Sequence, residues 1–180
     1  MANRYQHTNL IRNRAIRAFK SLFVVILCLT VFQTVAYAPP AYYKIGEIWI
    51  KAEVWHRITY WSEQYKLDKY WVTSLGLQES KLSMDARGSI GEVGIFQIAP
   101  WTAIEIKVEL RNMTLNVYKL DDNIQMGVYY LSKMLYSCDG NYIDALAVYN
   151  CGLGNRNAWW ERAITRTHIK KILEYYDKLK

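Results

Sequence analysis

The segment DKYWVTSLGLQES, residues 68–80, sets the architecture of this chain. Asp68 offers a carboxylate to the free N–H groups at the start of a helix, and the helix then runs from Lys69 to about Ser80. Working outward, Gly88, Gly91 and Gly94 make the following stretch a loop free to take unusual backbone angles. Pro100 suits the first turn of a short helix reaching about Leu110. Asp121-Asp122 reads as the cap of a longer helix with Ile124, Val128, Leu131, Met134 and Leu135 on its buried face. Asp139-Gly140-Asn141 is turn chemistry, Tyr142 to Tyr149 is a further helix, and a last amphipathic helix covers roughly Thr167 to Lys178. Towards the N-terminus, Ile48, Trp49, Ala52, Trp55, Ile58 and Thr59 recur at helical spacing, giving a helix through about Tyr65. No long strand pattern is visible, so the fold class is mainly α.

The chain before Pro39-Pro40 has a different composition. Arg4, Arg12, Arg14, Arg17 and Lys20 are its charged residues, and Ser21 to Tyr43 carries no charge at all. A basic flank before an apolar run is the signature of export, with the basic end left in the cytoplasm. Ala36-Tyr37-Ala38 fits a small-x-small cleavage site, although Pro39 follows it, and Thr34-Val35-Ala36 offers another. Uncut, the run is long enough to anchor the chain in a bilayer. The expected organisation is therefore an export signal or membrane anchor over 1–38, a linker over 39–46 and one domain over 47–180. The product would be exported, either periplasmic or held at the inner membrane facing the periplasm.

The net charge of +7 belongs mostly to that tail. Removing its five basic residues from 23 leaves 18 against 16 acidic, so the domain carries only +2 and nucleic acid is not an expected partner. Cys28 lies in the export segment, which leaves Cys138 and Cys151 as two separate thiols or one disulfide. With only His56 and His168 in the domain and no Cys–His cluster at ligand spacing, neither a metal nor another cofactor is expected.

Three clusters carry candidate chemistry. In Gln78-Glu79-Ser80 a carboxylate sits at a helix end beside Leu75, Leu77 and Leu82. The negative end of the helix dipole and burial both disfavour charge there, so both raise the pKa of Glu79. A carboxyl protonated near neutral pH is what acid catalysis of glycoside cleavage requires. A solvated surface carboxylate is the plainer alternative. In the second cluster, Gly91 to Pro100, glycines flank a short apolar stretch containing Gln97, which suits either a sugar-facing loop or a turn packed on the core. The third, Ala147-Val148-Tyr149-Asn150-Cys151-Gly152, ends a helix in a phenol and an amide.

Taken in this order the clusters resemble the SLT-type lytic transglycosylases, relatives of goose-type lysozyme. Glu79-Ser80 matches the family's Glu-Ser pair. Gly91 to Ala103 matches Gly-x-x-Gly-Leu-Met-Gln-x-x-Pro-x-Thr-Ala, with Ile95-Phe96 in place of Leu-Met, and Ala147 to Gly152 matches Ala-x-Tyr-Asn-x-Gly. Asn123-Ile124 with Gly127 and Tyr130-Leu131 resembles the Asn-Ile-x-x-Gly helix. The likeness spans about residues 55–160. It implies a lysozyme-like single domain with a glycan-binding groove, no cofactor, and peptidoglycan glycan strands as substrate. Glu79 would protonate the oxygen joining MurNAc to GlcNAc, then take a proton from MurNAc's own primary hydroxyl and so close a 1,6-anhydro ring. Ser80 would position reacting groups, Gln97 would bind substrate, and Tyr149 would hydrogen-bond Glu79. Asn150 would bind substrate or serve the structure alone.

The departure from the family pattern is Glu92, where the family usually has Ala. As a loop charge it is solvent-facing; in the groove it would activate water and make a muramidase on the same fold. A non-catalytic wall-binding assembly protein is the third class, against which Glu79, Gln97 and Tyr149 stand together. The aromatic content, 15 Tyr, 7 Trp and 4 Phe, suits a sugar-binding groove as well as a core, and Trp101, Trp159 and Trp160 are the groove candidates. The small size resembles single-domain members that open the wall locally for secretion systems, conjugation or phages, with the N-terminal segment engaging the inner membrane.

Overall fold

The computed structural model describes residues 20–22 and 41–180. The expected export segment lies outside the described residues apart from 20–22. Among the described residues, no helix is long and apolar enough to cross a membrane.

The compact unit is Ala41–Lys180. It begins with a hairpin of two four-residue strands, β1 (Tyr42–Ile45) and β2 (Ile48–Lys51), paired antiparallel with Ile45 opposite Ile48. Residues 41–46, read from the sequence as linker, thus include the first strand. Ile48 and Trp49, expected to open a helix, are in the second. Over four residues, periods of two and 3.6 place apolar side chains on nearly the same positions, so local pattern alone does not separate them. Gly46 makes the hairpin fit: it turns with φ +55°, and a Cβ there would lie 2.1 Å from the Lys178 carbonyl oxygen. Glu47 N–H donates to that same carbonyl at 2.8 Å, docking the hairpin on the end of the last helix.

Six helices follow. These are α1 (Ala52–Gln64), α2 (Lys69–Ser80), α3 (Pro100–Glu109), α4 (Leu120–Ser137), α5 (Tyr142–Cys151) and α6 (Ala163–Leu179). Short 3-10 turns at Leu153–Asn155 and Trp159–Glu161 join the last two. The mainly α class expected from the sequence is the observed one. Asp68 caps α2 by accepting from Tyr70 N–H at 2.7 Å, and Asn141 caps α5 by accepting from Ile143 and Asp144 N–H. Asp121 and Asp122 do not cap α4, since Lys119 holds the cap position. Asp122 instead accepts from Asn116 N–H at 2.7 Å and Asp121 from the Trp61 indole at 2.9 Å. Their charge still stands in the first turn, where the helix dipole favours it.

α2 is the central element. Every residue from Val72 to Leu77 is buried, so the helix is enclosed on all sides rather than along one stripe. α6 packs along it, α5 packs between α4 and α6, and α1 packs on both α2 and α4. Lys81 and Leu82 then take left-handed backbone angles, and Leu82 N–H bonds back to the Gly76 carbonyl at 3.2 Å. That closure stops α2 one residue after Glu79 and turns the chain into the glycine-containing loop.

Candidate active site

Glu79 occupies the last turn of the buried helix, and its side chain is only 16% exposed. Burial pushes its pKa from 4.5 up to about 8, and the negative charge of Glu92 adds to the rise. At neutral pH the carboxyl keeps its proton.

The residues around it are placed by a tight set of backbone contacts. Ser80 Oγ donates to the Ile95 carbonyl at 2.9 Å and accepts from Ser83 N–H at 3.1 Å, tying the end of α2 to the loop. Within that loop Val93 and Ile98 exchange two backbone hydrogen bonds of 3.1 Å, closing a turn over residues 94–97. Gly94 takes φ +76°, and a Cβ there would lie 2.6 Å from both Asn123 Nδ2 and Met84 Cε. Asn123, fully buried on α4, holds the turn from below. It accepts from Phe96 N–H at 3.3 Å and donates to the Val93 and Val117 carbonyls at 2.9 and 3.0 Å. One helical turn on, a Cβ at Gly127 would meet Phe96 Cγ at 2.2 Å, so the phenyl ring packs on bare helix backbone. The Asn123-Ile124-x-x-Gly127 pattern therefore has a physical purpose: an amide for the turn's backbone and a gap for its side chain.

This scaffold bounds a cavity of about 340 Å³ whose wall includes Glu79, Glu92, Gln97, Tyr130, Tyr149 and Asn150. Four of the five residues singled out in the sequence, Glu79, Gln97, Tyr149 and Asn150, meet there. Ser80 does not reach the wall; its hydroxyl is spent holding the turn. Gln97 sits at φ +46° and its amide donates to the Gly94 carbonyl at 2.8 Å. Asn150 Oδ1 accepts from Thr165 Oγ1 at 3.0 Å, fastening the end of α5 to α6.

One expectation needs correction. The Tyr149 hydroxyl donates to the Phe96 carbonyl at 2.9 Å and makes no hydrogen bond to Glu79. Phe96 is fully buried in the turn, and its backbone carbonyl takes the hydroxyl as its donor. Of the two places the sequence leaves open for Glu92, it takes the cavity wall, half-buried, with its carboxylate accepting from Ile90 N–H at 3.0 Å. Trp101 stands at the cavity, 58% exposed, as a groove aromatic should. Trp159 and Trp160 are off the wall, and the Trp159 indole donates to Asp144 at 2.8 Å.

Sequence reading missed His168. It lies on α6, 7% exposed, with Nε2 3.4 Å from Glu79 Oε1. Burial first, then Lys171, lowers its pKa from 6.5 to about 4, so the imidazole is neutral where the carboxyl is protonated. One histidine in an amphipathic helix carries no local signal of such a neighbour. Cys138 is buried, Cys151 half-buried, and both are free. Among the described residues, no group of three or more His, Cys, Asp or Glu is arranged to hold a metal.

Fold and cavity together define a helical domain of the lysozyme-like class. Residues 56–172 match the family of the transglycosylase SLT domain, and the chain belongs to that family. Among solved structures, it is similar to an inactive mutant of the lytic transglycosylase Slt from Pseudomonas aeruginosa. There the TM-score is 0.61 and the identity 26%, over 67% of this chain and 23% of that one. It also resembles the 70 kDa soluble lytic transglycosylase of Escherichia coli, with TM-score 0.65 and 19% identity over 69% of this chain and 23% of that one. A complex of a 70 kDa soluble lytic transglycosylase with bulgecin A gives TM-score 0.64 and 20% identity, over 68% and 23%. The chain thus spans about a quarter of the length of these relatives.

Proposed function

We propose that the chain is a peptidoglycan lytic transglycosylase that cleaves between MurNAc and GlcNAc and leaves a 1,6-anhydro-MurNAc end. The observation that carries this reading is a carboxyl, Glu79, held protonated near neutral pH at a cavity walled by amide and phenol groups. Family membership and the lytic transglycosylases among its structural relatives support it.

Glu79 gives its proton to the glycosidic oxygen as the bond to the MurNAc anomeric carbon breaks, and positive charge develops on the sugar ring. The Glu92 carboxylate, on the same wall, opposes loss of the Glu79 proton beforehand and favours the developing cation afterwards. Glu79, now a carboxylate, takes the proton of the MurNAc primary hydroxyl, whose oxygen closes onto the anomeric carbon. Gln97 and Asn150 present amides to the glycan, and Trp101 offers a ring for a sugar face.

The position of Glu92 also favours a second reading, in which it activates a water and the enzyme is a muramidase. The basic tail and uncharged run support export, with the domain in the periplasm or tethered to the inner membrane. Local opening of the wall for a secretion, conjugation or phage assembly is part of this proposal.

Glu79→Gln is expected to abolish release of soluble fragments from purified peptidoglycan, with the circular dichroism spectrum retained and a cooperative melting transition no lower than that of the wild type. The amide is close to isosteric but is no acid. Fragment release at the wild-type rate would reject both catalytic readings.

A further inference from the structure

Glu79 and His168 come from different helices, α2 and α6, which pack along one another and bring the two side chains together in the interior. The side chains are 16% and 8% exposed, respectively. Among the described residues, Nε2 of His168 is the one basic side-chain nitrogen within 4 Å of the Glu79 carboxyl. That nitrogen is itself buried and makes no hydrogen bond in this geometry. At 3.4 Å it stands a few tenths of an ångström beyond an ordinary N–H···O distance. A buried polar nitrogen without a partner is costly, and here its neighbour is the catalytic acid.

We propose that His168 is a positioning residue for Glu79: its Nε2–H donates to Oε1 of the carboxyl, which commits the proton to Oε2, facing the glycan. The proposal rests on Glu79 being the acid. A carboxyl in water carries its proton on either oxygen and in either orientation. A donor on Oε1 makes that oxygen the carbonyl acceptor and leaves Oε2–H free for the glycosidic oxygen. After proton transfer the same N–H steadies the new carboxylate in a site that otherwise disfavours it.

The imidazole does not need to ionise for this. Around it stand Glu79 on α2, Gln78 beside it, and Thr167 and Lys171 on its own helix. Beside Glu79 stand Glu92 from the loop and Tyr149 from α5, with Tyr130 from α4 on the same cavity wall, the first raising its pKa and the phenols uncharged at neutral pH. No cation among these groups stabilises a Glu79 carboxylate at contact distance, which leaves the neutral N–H of His168 as the donor.

The experiment uses the full chain and two variants. His168→Phe keeps a planar ring and removes the donor; His168→Gln restores a donor near the Nε2 position. For His168→Phe we expect kcat to fall on the order of 10- to 100-fold with KM little changed, the range of losing one hydrogen bond at a reacting group. The alkaline limb of the pH–rate profile should move to higher pH, because a donor to the carboxylate lowers the pKa of Glu79 and its loss raises it. His168→Gln should recover much of the rate and return the limb. A folded His168→Phe protein with unchanged kcat and pH profile would overturn the proposal, as would a rate loss with an unmoved limb. Where His168→Phe does not fold, the 15N shifts of His168 in the wild-type chain decide: protonated Nε2 with bare Nδ1 is expected, and the opposite tautomer overturns the assignment. Glu79→Gln run beside these keeps the two failures apart, since activity in that variant rejects Glu79 as the acid.

Discussion

On the proposed reading, Glu79 sets stability against activity in a way that pH exposes. Its carboxyl has a folded pKa of about 8 against 4.5 ordinarily, so the unfolded chain ionises first as pH rises. The stability tied to the protonated group is fully present below about 4.5 and is lost as pH climbs through about 8. His168 has the opposite sign. Its folded pKa is lowered to about 4, so its contribution is intact above 6.5 and is lost as pH falls through 4. Glu79→Gln removes the first burden and leaves the second. Its gain in unfolding free energy over wild type should be near zero at pH 4.5 and should grow to a few kcal/mol by pH 8, at about 1.4 kcal/mol per pH unit. Urea denaturation across that range measures it, and a difference that is flat with pH would show that Glu79 titrates normally. The sequence shows why Glu79 is a candidate, because a carboxyl at a helix end among leucines has both causes of a raised pKa in plain view. It does not show His168, whose approach depends on the packing of α6 along α2.

At the scale of elements, the site is a turn held by three helices. Ser80 from the end of α2, Asn123 from α4 and Tyr149 from α5 all bond to the backbone of residues 93–96. The residues that a glycan chemist would first read as substrate ligands are in part braces. Tyr149→Phe tests this division. It leaves the buried Phe96 carbonyl without a partner, so the fold should lose about 1–3 kcal/mol in urea denaturation. The initial rate on peptidoglycan should fall less than about tenfold, well short of removing a hydrogen bond to the reacting centre. A collapse in rate at unchanged stability would instead place the phenol on Glu79. The glycines and Asn123 were legible as a spacing pattern, but their reason was not. Gly94 and Gly127 are small because of Asn123 and Phe96, and those contacts exist only once the loop lies on α4. The same limit explains the hairpin. Ile48-Trp49-Ile50-Lys51 is too short to declare its period, and its pairing with Tyr42–Ile45 is fixed by Gly46 seating against Lys178 near the far end of the chain. The cap at Asp68 is legible because its donor lies two residues on, whereas other donors compete for the later pair, the Trp61 indole for Asp121 and the Asn116 N–H for Asp122.

Across the whole domain, the helical scaffold is organised so that one buried helix ends at one acid. The loop supplies Glu92 and Gln97 beside it, α4 supplies Tyr130, α5 supplies Tyr149 and Asn150, and α6 supplies His168. The proposed reaction, in which the sugar provides its own nucleophile, needs only the one acid, because no second residue has to activate water. Glu92 is the feature that makes the matter open to experiment, as it brings another carboxyl to the same cavity. The measurement that bears on this most directly is mass spectrometry of the soluble muropeptides released when the full chain digests peptidoglycan. Fragments lighter than the hydrolysed ones by the mass of one water, carrying the anhydro end, are the expected result. Reducing-end fragments in their place would contradict lytic cleavage and give Glu92 the role of base toward water.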